Sequence, residues 1–419
     1  MIFIYNLGLI ILSLLFLPII LTAFVLQPKF RAGFFRKIGF YGGLKKSLKN
    51  KTIVFHAVSV GEVNAIEALV KKTKEVHPDY EIILTTTTKT GQEVANNKLK
   101  KVVDVITYFP YDFSFSTKSF LKTFAPQKVV IAETEIWPNF SKYANKLGIE
   151  LYIVNGRISP KSFNGYKKIN FFIKQVLKNY TKILMQTEGD AQRISDLCDE
   201  KNKIQVMGNL KFDIAQSLTE EQVLSLKDEF ALCDAPLFIA ASTHTGEDEL
   251  VLDVFSTAKK KINNLKMIIA PRHPQRFEHV ENLLKKSGYS YGKRSTKDTF
   301  DSNDIIMLDT MGELGKIYSL AKIAFIGGSF SNTGGHNPLE ANIWGIPVIS
   351  GPTVFNFKDI YKLLTQEGAA IIVKDKASFE ETLLRFLSDE KFYNDAALSI
   401  NTIFQKSSGA IERAISEIF

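Results

Sequence analysis

The first 26 positions are mostly hydrophobic and carry no charge, and from residue 52 onward hydrophobic residues fall into short runs separated by amphipathic stretches. The opening run, Ile2-Phe3-Ile4 through Ala23-Phe24-Val25-Leu26, exceeds the ~20 apolar residues that cross a bilayer, and predicts one transmembrane helix over 1–27. Further on, apolar runs at 53–58, 81–87, 105–108, 129–132, 151–154, 183–185 and 204–207 predict strands. Stretches such as 64–76 and 171–180 between them carry helical spacing. A second series has strands at 237–241, 267–270, 305–308, 323–326, 348–350 and 370–373. Its helical patterns include 248–260, 277–286, 339–344 and 379–387. This alternation predicts an α/β protein with parallel sheets covered by helices on both faces. Two series predict two doubly wound, Rossmann-like domains facing a cleft, at 52–215 and 236–419, with a linker over 216–235. Ligands of such sheets bind beyond the carboxyl ends of strands, so the informative residues should follow strands.

Composition narrows the class. With 45% hydrophobic and 23% charged residues, the 419-residue chain is neither disordered nor a multi-span membrane protein. Two cysteines, Cys198 and Cys233, cannot build a disulfide scaffold. The net charge is +9, and its location matters more than its size. Lys29, Arg31, Arg36, Lys37, Lys45, Lys46, Lys49 and Lys51 supply eight positive charges with no carboxylate among them, which leaves residues 52–419 at +1. Residues 28–51 thus read as a basic juxtamembrane collar, interleaved with Phe30, Phe34, Phe35 and Phe40, which suits an anionic lipid surface. A cleaved signal peptide would need cations ahead of the apolar run, where there are none. The positive-inside rule predicts that residues 52–419 lie on the cytoplasmic side. Nucleic acid is not an expected partner, because the body is nearly neutral.

Candidate chemistry sits where strands end. Glu62 follows the first strand in His56-Ala57-Val58-Ser59-Val60-Gly61-Glu62. A carboxylate there suits the start of a helix, and it also suits a general base. Glu133 and Glu135 follow another strand, in Ala132-Glu133-Thr134-Glu135-Ile136-Trp137-Pro138-Asn139. Their spacing could ligate a metal, but no Asp-x-Asp motif or histidine-rich cluster accompanies them. The alternative is electrostatic stabilisation of reacting groups by Glu133. Lys211, in Gly208-Asn209-Leu210-Lys211-Phe212-Asp213, could offset negative charge or simply pair with Asp213. Arg272, after Pro271, offers a planar guanidinium for phosphate or carboxylate, and His273 reads as a turn residue. The segment Gly334-Gly335-His336-Asn337-Pro338-Leu339-Glu340 reads as a helix start with Asn337 at the N-cap, Pro338 first and Glu340 third. The same start is a candidate anion site, with Glu340 available to ribose hydroxyls.

Taken in order, these segments resemble one family. His-Ala-Val-Ser-Val-Gly-Glu (56–62), Tyr-Phe-Pro-Tyr-Asp (108–112), Glu-Thr-Glu-Ile-Trp-Pro-Asn (133–139) and Asn-Gly-Arg-Ile-Ser (155–159) are joined by Gly-Asn-Leu-Lys-Phe-Asp (208–213) and Ala-Ser-Thr-His (241–244). Pro-Arg-His-Pro (271–274), Met-Gly-Glu-Leu (311–314) and Gly-Gly-His-Asn-Pro-Leu-Glu (334–340) complete a series similar to the 3-deoxy-D-manno-octulosonic acid (Kdo) transferases of lipopolysaccharide synthesis. The resemblance implies the GT-B fold, and Kdo transfer from CMP-Kdo to the phosphorylated lipid A precursor (lipid IVA) at the cell inner membrane, with inversion and release of CMP. It implies Glu62 as proton acceptor, and Glu133 and Lys211 as transition-state stabilisers. Pro271, Arg272, Met311, Gly312, Glu313, Asn337, Pro338, Leu339 and Glu340 would hold CMP, with no metal and no cofactor. Ala57 and Gly156 are mild departures from the pattern. A transferase of UDP-sugars, an epimerase on the same scaffold and a tethered sugar-nucleotide binding protein remain the rival readings.

Overall fold

The computed structural model describes residues 2–27, 31–44, 51–213 and 218–419. Lys29, Phe30, Lys45, Lys46 and Lys49 of the expected collar, and 216–217 of the expected linker, lie outside the described residues. The chain divides into two compact units, one of 1–213 with 407–419, the other of 214–406.

The first unit is built on β1 (Thr52–His56), β2 (Glu81–Thr86), β3 (Val105–Tyr108), β4 (Lys128–Ala132), β5 (Glu150–Gly156), β6 (Lys182–Met185) and β7 (Ile204–Val206). These seven form one parallel sheet in the order β3-β2-β1-β4-β5-β6-β7. Burial of both faces explains the unbroken apolar runs. Ile53 and Phe55 point into one hydrophobic cluster and Val54 into the other. Strand order reverses between β1 and β4, and there the helix Val60–Val76 and the Glu133–Trp137 loop leave the sheet.

The second unit repeats the plan with β8 (Leu237–Thr243), β9 (Lys266–Pro271), β10 (Tyr291–Lys293), β11 (Ile305–Met307), β12 (Ile323–Ile326), β13 (Val348–Ser350) and β14 (Ala370–Ile372). Their order is β10-β11-β9-β8-β12-β13-β14, again parallel, with the reversal between β8 and β12. The edge strand β10 was not expected. Its sequence, Tyr-Gly-Lys, has no apolar run, and it is held by pairing with β11.

Three expectations change. The segment 216–235 is not a plain linker. It contains the helix Glu220–Glu229, started by a capping box between Thr219 and Gln222. After the helix, Phe230 is buried, with Arg294 stacked on its ring at 4.7 Å.

The second change concerns the last residues, which leave the expected 236–419 domain. The helix Ala410–Ile418 buries Ala410, Ile411, Ala414 and Ile418 in a core of the first unit. Asp213 accepts hydrogen bonds from Gly409 N (2.7 Å) and Ile411 N (2.5 Å) at its start. Arg413 Nε donates to Met207 O at 2.7 Å. The tail therefore clamps the segment that carries Lys211.

Third, the apolar N-terminal run forms two helices, Ile2–Leu15 and Leu17–Leu26, bent by 58°. Pro18 lacks the N–H that would continue the ladder to Leu14 O, so the helix breaks. Among the described residues no single helix is long and apolar enough to cross a membrane, although the bent pair reaches that length and composition together.

Clamping by the tail makes a measurable demand on stability. Truncating the buried Ile418 to Ala should cost ~2–5 kcal/mol in chemical denaturation, with the loss borne by the first unit. Unchanged stability would mean that the tail is not part of that core.

Candidate functional site

In the first unit the side chains gather at the β1/β4 reversal. Ser59 is the N-cap of Val60–Val76, but its side chain makes no cap bond to the helix amides. Instead its hydroxyl donates to Glu62 Oε1 (3.1 Å), while Val58 N donates to Glu62 Oε2 (2.7 Å). Glu62 is buried, and burial pushes its carboxyl from 4.5 up to about 7. The Val58 and Ser59 bonds oppose that rise, and the charges of Glu133 and Glu135 add to it. Three carboxylates thus share one end of the sheet. Burial, then the charge of Glu133, also raises Glu135.

Glu133 itself has φ +56°, a left-handed conformation that costs a residue with a Cβ ~1–2 kcal/mol. The strain is held by Glu133 N donating to Val154 O (2.9 Å), and Tyr180 Oη donates to Glu135 O (3.3 Å). Arg157 lies 3.4 Å from the Glu133 carboxylate. Strained backbone of this kind is concentrated at functional sites, and here it stands beside a buried acid.

Lys211 is held from beneath. Asn155, also at positive φ (+53°), accepts from Leu210 N (3.1 Å) through Oδ1. Gln186 Nε2 donates to Asn155 O (3.0 Å), and Asn209 Nδ2 donates to Gln186 Oε1 (3.2 Å). Asn209 Oδ1 in turn accepts from Lys211 N (3.0 Å). The 3-10 turn Leu210–Phe212 packs on the helix that carries Glu62. Asp213, the expected ion-pair partner, is occupied by the C-terminal helix, and among the described residues Lys211 makes no ion pair. Asn155, Gln186 and Asn209 were not singled out from the sequence; Asn155 and Asn209 lay in recognised motifs without a role, and Gln186 lay in none.

In the second unit the loops after β8, β9 and β12 converge. Arg272 is exposed just past β9, its amide donating to Thr243 O (3.0 Å). His273 stands before the 3-10 turn Pro274–Arg276, the turn role expected of it. Sequence reasoning missed Arg276, which donates to Thr243 O (2.8 Å) and forms an ion pair with the fully buried Asp248. His244 and His336 meet Nε2 to Nε2 at 2.9 Å. Burial, followed by the charge of Arg272, holds His336 down to about 4, which puts the 271–274 and 334–340 loops within electrostatic reach. Met311 is exposed and Gly312 turns at φ +89°. Glu313 is gripped by Arg294 through both carboxylate oxygens (3.1 and 3.3 Å) and by the Thr310 hydroxyl. Burial alone would raise Glu313, but these bonds hold its carboxyl below the usual range.

The 334–340 segment differs in detail from the expected helix start. The helix Leu339–Asn342 is a single turn with Pro338, not Asn337, at the N-cap. Asn337 still accepts from Leu339 N (3.2 Å) and reaches Glu340 Oε1 (3.4 Å). Leu339 is fully buried and Pro338 is buried, so both act as packing anchors that set the loop, while Glu340 is exposed. The glycine segment after β12 is organised by Glu247, which sequence reasoning also missed. Its Oε2 accepts from His244 N (2.9 Å) and Gly328 N (2.7 Å), and its Oε1 from Ser329 N (2.9 Å) and Phe330 N (2.8 Å). A Cβ on Gly327 would meet Ser242 O at 2.5 Å. Among the described residues no group of three or more His, Cys, Asp or Glu side chains is arranged to hold a metal ion.

Two parallel Rossmann-like sheets, each with its polar residues at a strand-order reversal, define a fold of the GT-B type. A family model described as glycosyl transferases group 1 matches residues 237–399, and one described as 3-deoxy-D-manno-octulosonic-acid transferase (kdotransferase) matches 32–214. MurG from Acinetobacter baumannii resembles the chain in fold with a TM-score of 0.54, at 14% identity over 88% of this chain and 99% of that one. A UDP-GlcNAc 2-epimerase from Neisseria meningitidis gives 0.56, at 13% identity over 87% and 99%. At such identities both speak to fold alone. The 3-deoxy-D-manno-octulosonic acid transferase of Haemophilus influenzae is 33% identical over 418 residues, 99% of this chain and 97% of that one. The one from Chlamydophila psittaci is 31% identical over 394 residues, 92% and 88% respectively. The chain belongs to the 3-deoxy-D-manno-octulosonic acid transferase family, and it is a Kdo glycosyltransferase.

Two variants probe the buried acids. Glu247→Ala strands four backbone donors, each worth about 1–3 kcal/mol if left unsatisfied in the interior. Amide exchange at Gly328, Ser329 and Phe330 should accelerate strongly, and retained protection would refute the tether. Glu62→Gln should act in the opposite direction. The raised Glu62 carboxyl contributes stability that is full below pH 4.5 and lost as pH rises through about 7. The variant should therefore melt higher than the parent above pH 7 in calorimetry, although no such gain is expected near pH 4.

Proposed function

We propose that the enzyme transfers Kdo from CMP-Kdo to a hydroxyl of the phosphorylated lipid A precursor, lipid IVA, releasing CMP. The observation that carries this reading is Glu62, a buried carboxylate at the strand-order reversal with its carboxyl pushed up to about 7. Such a group is half-ionised at working pH, where a general base is most effective. The acceptor oxygen attacks the anomeric carbon as its proton passes to Glu62, the bond to the phosphate oxygen breaks, and CMP leaves with the electron pair. One base opposite one leaving group gives inversion. The phosphate is a good leaving group, so a general acid is not required.

In this reading Glu133, in its strained conformation, and Lys211, clamped by Asn209 and the C-terminal helix, stabilise the charge that develops. Pro271 and Arg272, Met311 to Glu313 and Asn337 to Glu340 form the CMP site. The exposed Arg272 guanidinium meets the phosphate, and the pinned loop of 311–313 and the exposed Glu340 meet the nucleoside. An N-terminal anchor and the cations of 29–51 would hold the body at the inner membrane surface on its cytoplasmic side, where the phosphorylated glycolipid is presented.

The assay is direct. With EDTA present, CMP-Kdo should be consumed and CMP released only when the lipid acceptor is supplied, whereas UDP-sugars are left untouched. Consumption of a UDP-sugar in place of CMP-Kdo would end this reading. The parent's kcat/KM should rise with pH through about 7, as Glu62 loses its proton. Glu62→Ala should abolish turnover yet still bind CMP. Mass spectrometry of the product counts the Kdo residues added.

A further inference from the structure

The apolar N-terminal run is tied to the first unit at both of its ends. Near its start, Tyr5 Oη donates to Asp112 Oδ2 (2.9 Å), and the Tyr5 ring lies 5.7 Å from that of Phe172. Asn6 and the fully buried Asn139 exchange two amide hydrogen bonds, Asn6 Nδ2 to Asn139 Oδ1 (3.2 Å) and Asn139 Nδ2 to Asn6 Oδ1 (2.7 Å). Ser114 Oγ adds a third to Asn6 Oδ1 (3.2 Å). The receiving side is rigid, because Asp112 also accepts from Asn139 N (2.9 Å) and Phe140 N (2.8 Å) and so caps the helix Pro138–Lys146.

Near the other end of the run, Phe24 packs edge-on against Phe34 of the following segment with ring centres 4.9 Å apart. The next residues bind the same stretch of the body. Tyr111 N donates to Lys37 O (2.7 Å), Ser116 Oγ to Ile38 O (3.0 Å) and Ser119 Oγ to Gly39 O (2.5 Å). Tyr111 thus receives Lys37, in the segment that follows the run, and its neighbour Asp112 receives Tyr5 near the run's start.

A helix crossing the bilayer cannot do this. From Tyr5 to Leu26 a straight helix is about 30 Å long, which matches the hydrocarbon thickness. Crossing would carry Tyr5 to the face opposite the collar, out of reach of Asp112. The latch and a full crossing exclude each other. The break at Phe16 lets the segment turn instead. Between the two attachments, Leu14, Leu15, Phe16, Leu17 and Ile19 are all exposed, a contiguous apolar surface.

We propose that residues 2–26 form a bent arm buried in one leaflet only, latched by Tyr5 to Asp112 and by Asn6 to Asn139, so that both its ends lie on the body's side of the membrane. The occupant of the apolar surface is anionic lipid, argued from the eight cations and no carboxylate that follow at 29–51. This rests on the membrane-surface reading above and deepens it.

The test uses the full chain with Cys198→Ser and Cys233→Ser, bound to vesicles of phosphatidylglycerol and phosphatidylethanolamine. The pair Asn6→Cys and Ser114→Cys should form a disulfide in most of the vesicle-bound protein on mild oxidation. In a separate chain, a protease site added ahead of Met1 should be cut by protease outside the vesicles. No disulfide in the floated fraction, or a protected N-terminus, means a crossing span and overturns the arm. Failure to float, or self-association without lipid in place of floating, overturns it too. CMP-Kdo turnover on a detergent-dispersed acceptor, followed in parallel, judges the enzymatic reading alone, because the position of the N-terminus does not enter it.

Discussion

A parallel strand that ends at a site must release its chain into a turn, and the backbone N–H groups there lose their ladder partners while still buried. This chain meets that constraint with buried or half-buried carboxylates. Glu62 takes Val58 N, Glu247 takes four amides after β8 and β12, Asp112 takes two at the start of Pro138–Lys146, and Asp213 takes two around the C-terminal helix. Glu62 closes its own turn, whereas Glu247, Asp112 and Asp213 join segments distant in sequence. Removing any one leaves orphaned donors in the interior, so the geometry of the loops and the stability of the units are the same problem.

The same device has different chemical outcomes according to how fully it is satisfied. Glu247 has both oxygens saturated by four short hydrogen bonds, and it has no direction left from which to take a proton. Glu62 accepts one backbone amide and one hydroxyl, lies near Glu133 and Glu135, and is pushed up to about 7. Burial with few donors makes a base, whereas burial with many makes a structural tether. Both are glutamates in a first helical turn after a strand, which is why sequence pattern alone could not separate them and why Glu247 escaped notice.

What was legible follows from the same physics. Parallel strands buried on both faces write themselves as apolar runs, so thirteen strands were visible and only the edge strand Tyr291–Lys293 was hidden. The positions of Glu62, Glu133, Lys211 and Arg272 after strands were visible because the topology forces ligand sites there. Long-range closure was not. The final helix is amphipathic in any reading, but which unit it covers depends on Asp213 and on an apolar patch formed by β1, β4 and the helix Val60–Val76. Likewise Asn155, Gln186 and Asn209 are ordinary polar residues until the fold aligns their amides beneath Lys211.

The N-terminal run shows how averaging conceals information of this kind. Hydropathy summed over some twenty residues reports a bilayer span, and Tyr5 and Asn6 barely lower the sum. Their energetic weight is local. A phenol and a carboxamide near the end of an apolar helix each need a partner wherever lipid or protein replaces water. Asp112 and Asn139 are such partners, both buried, with Asp112 already capping the helix to which Asn139 belongs, beside the acidic loop. Pro18 supplies the second departure from a uniform span, by removing the one N–H a straight helix would need there. Two polar residues and one proline thus outweigh the average of their neighbours, because polar satisfaction is enforced residue by residue, whereas hydrophobicity is enforced only in sum.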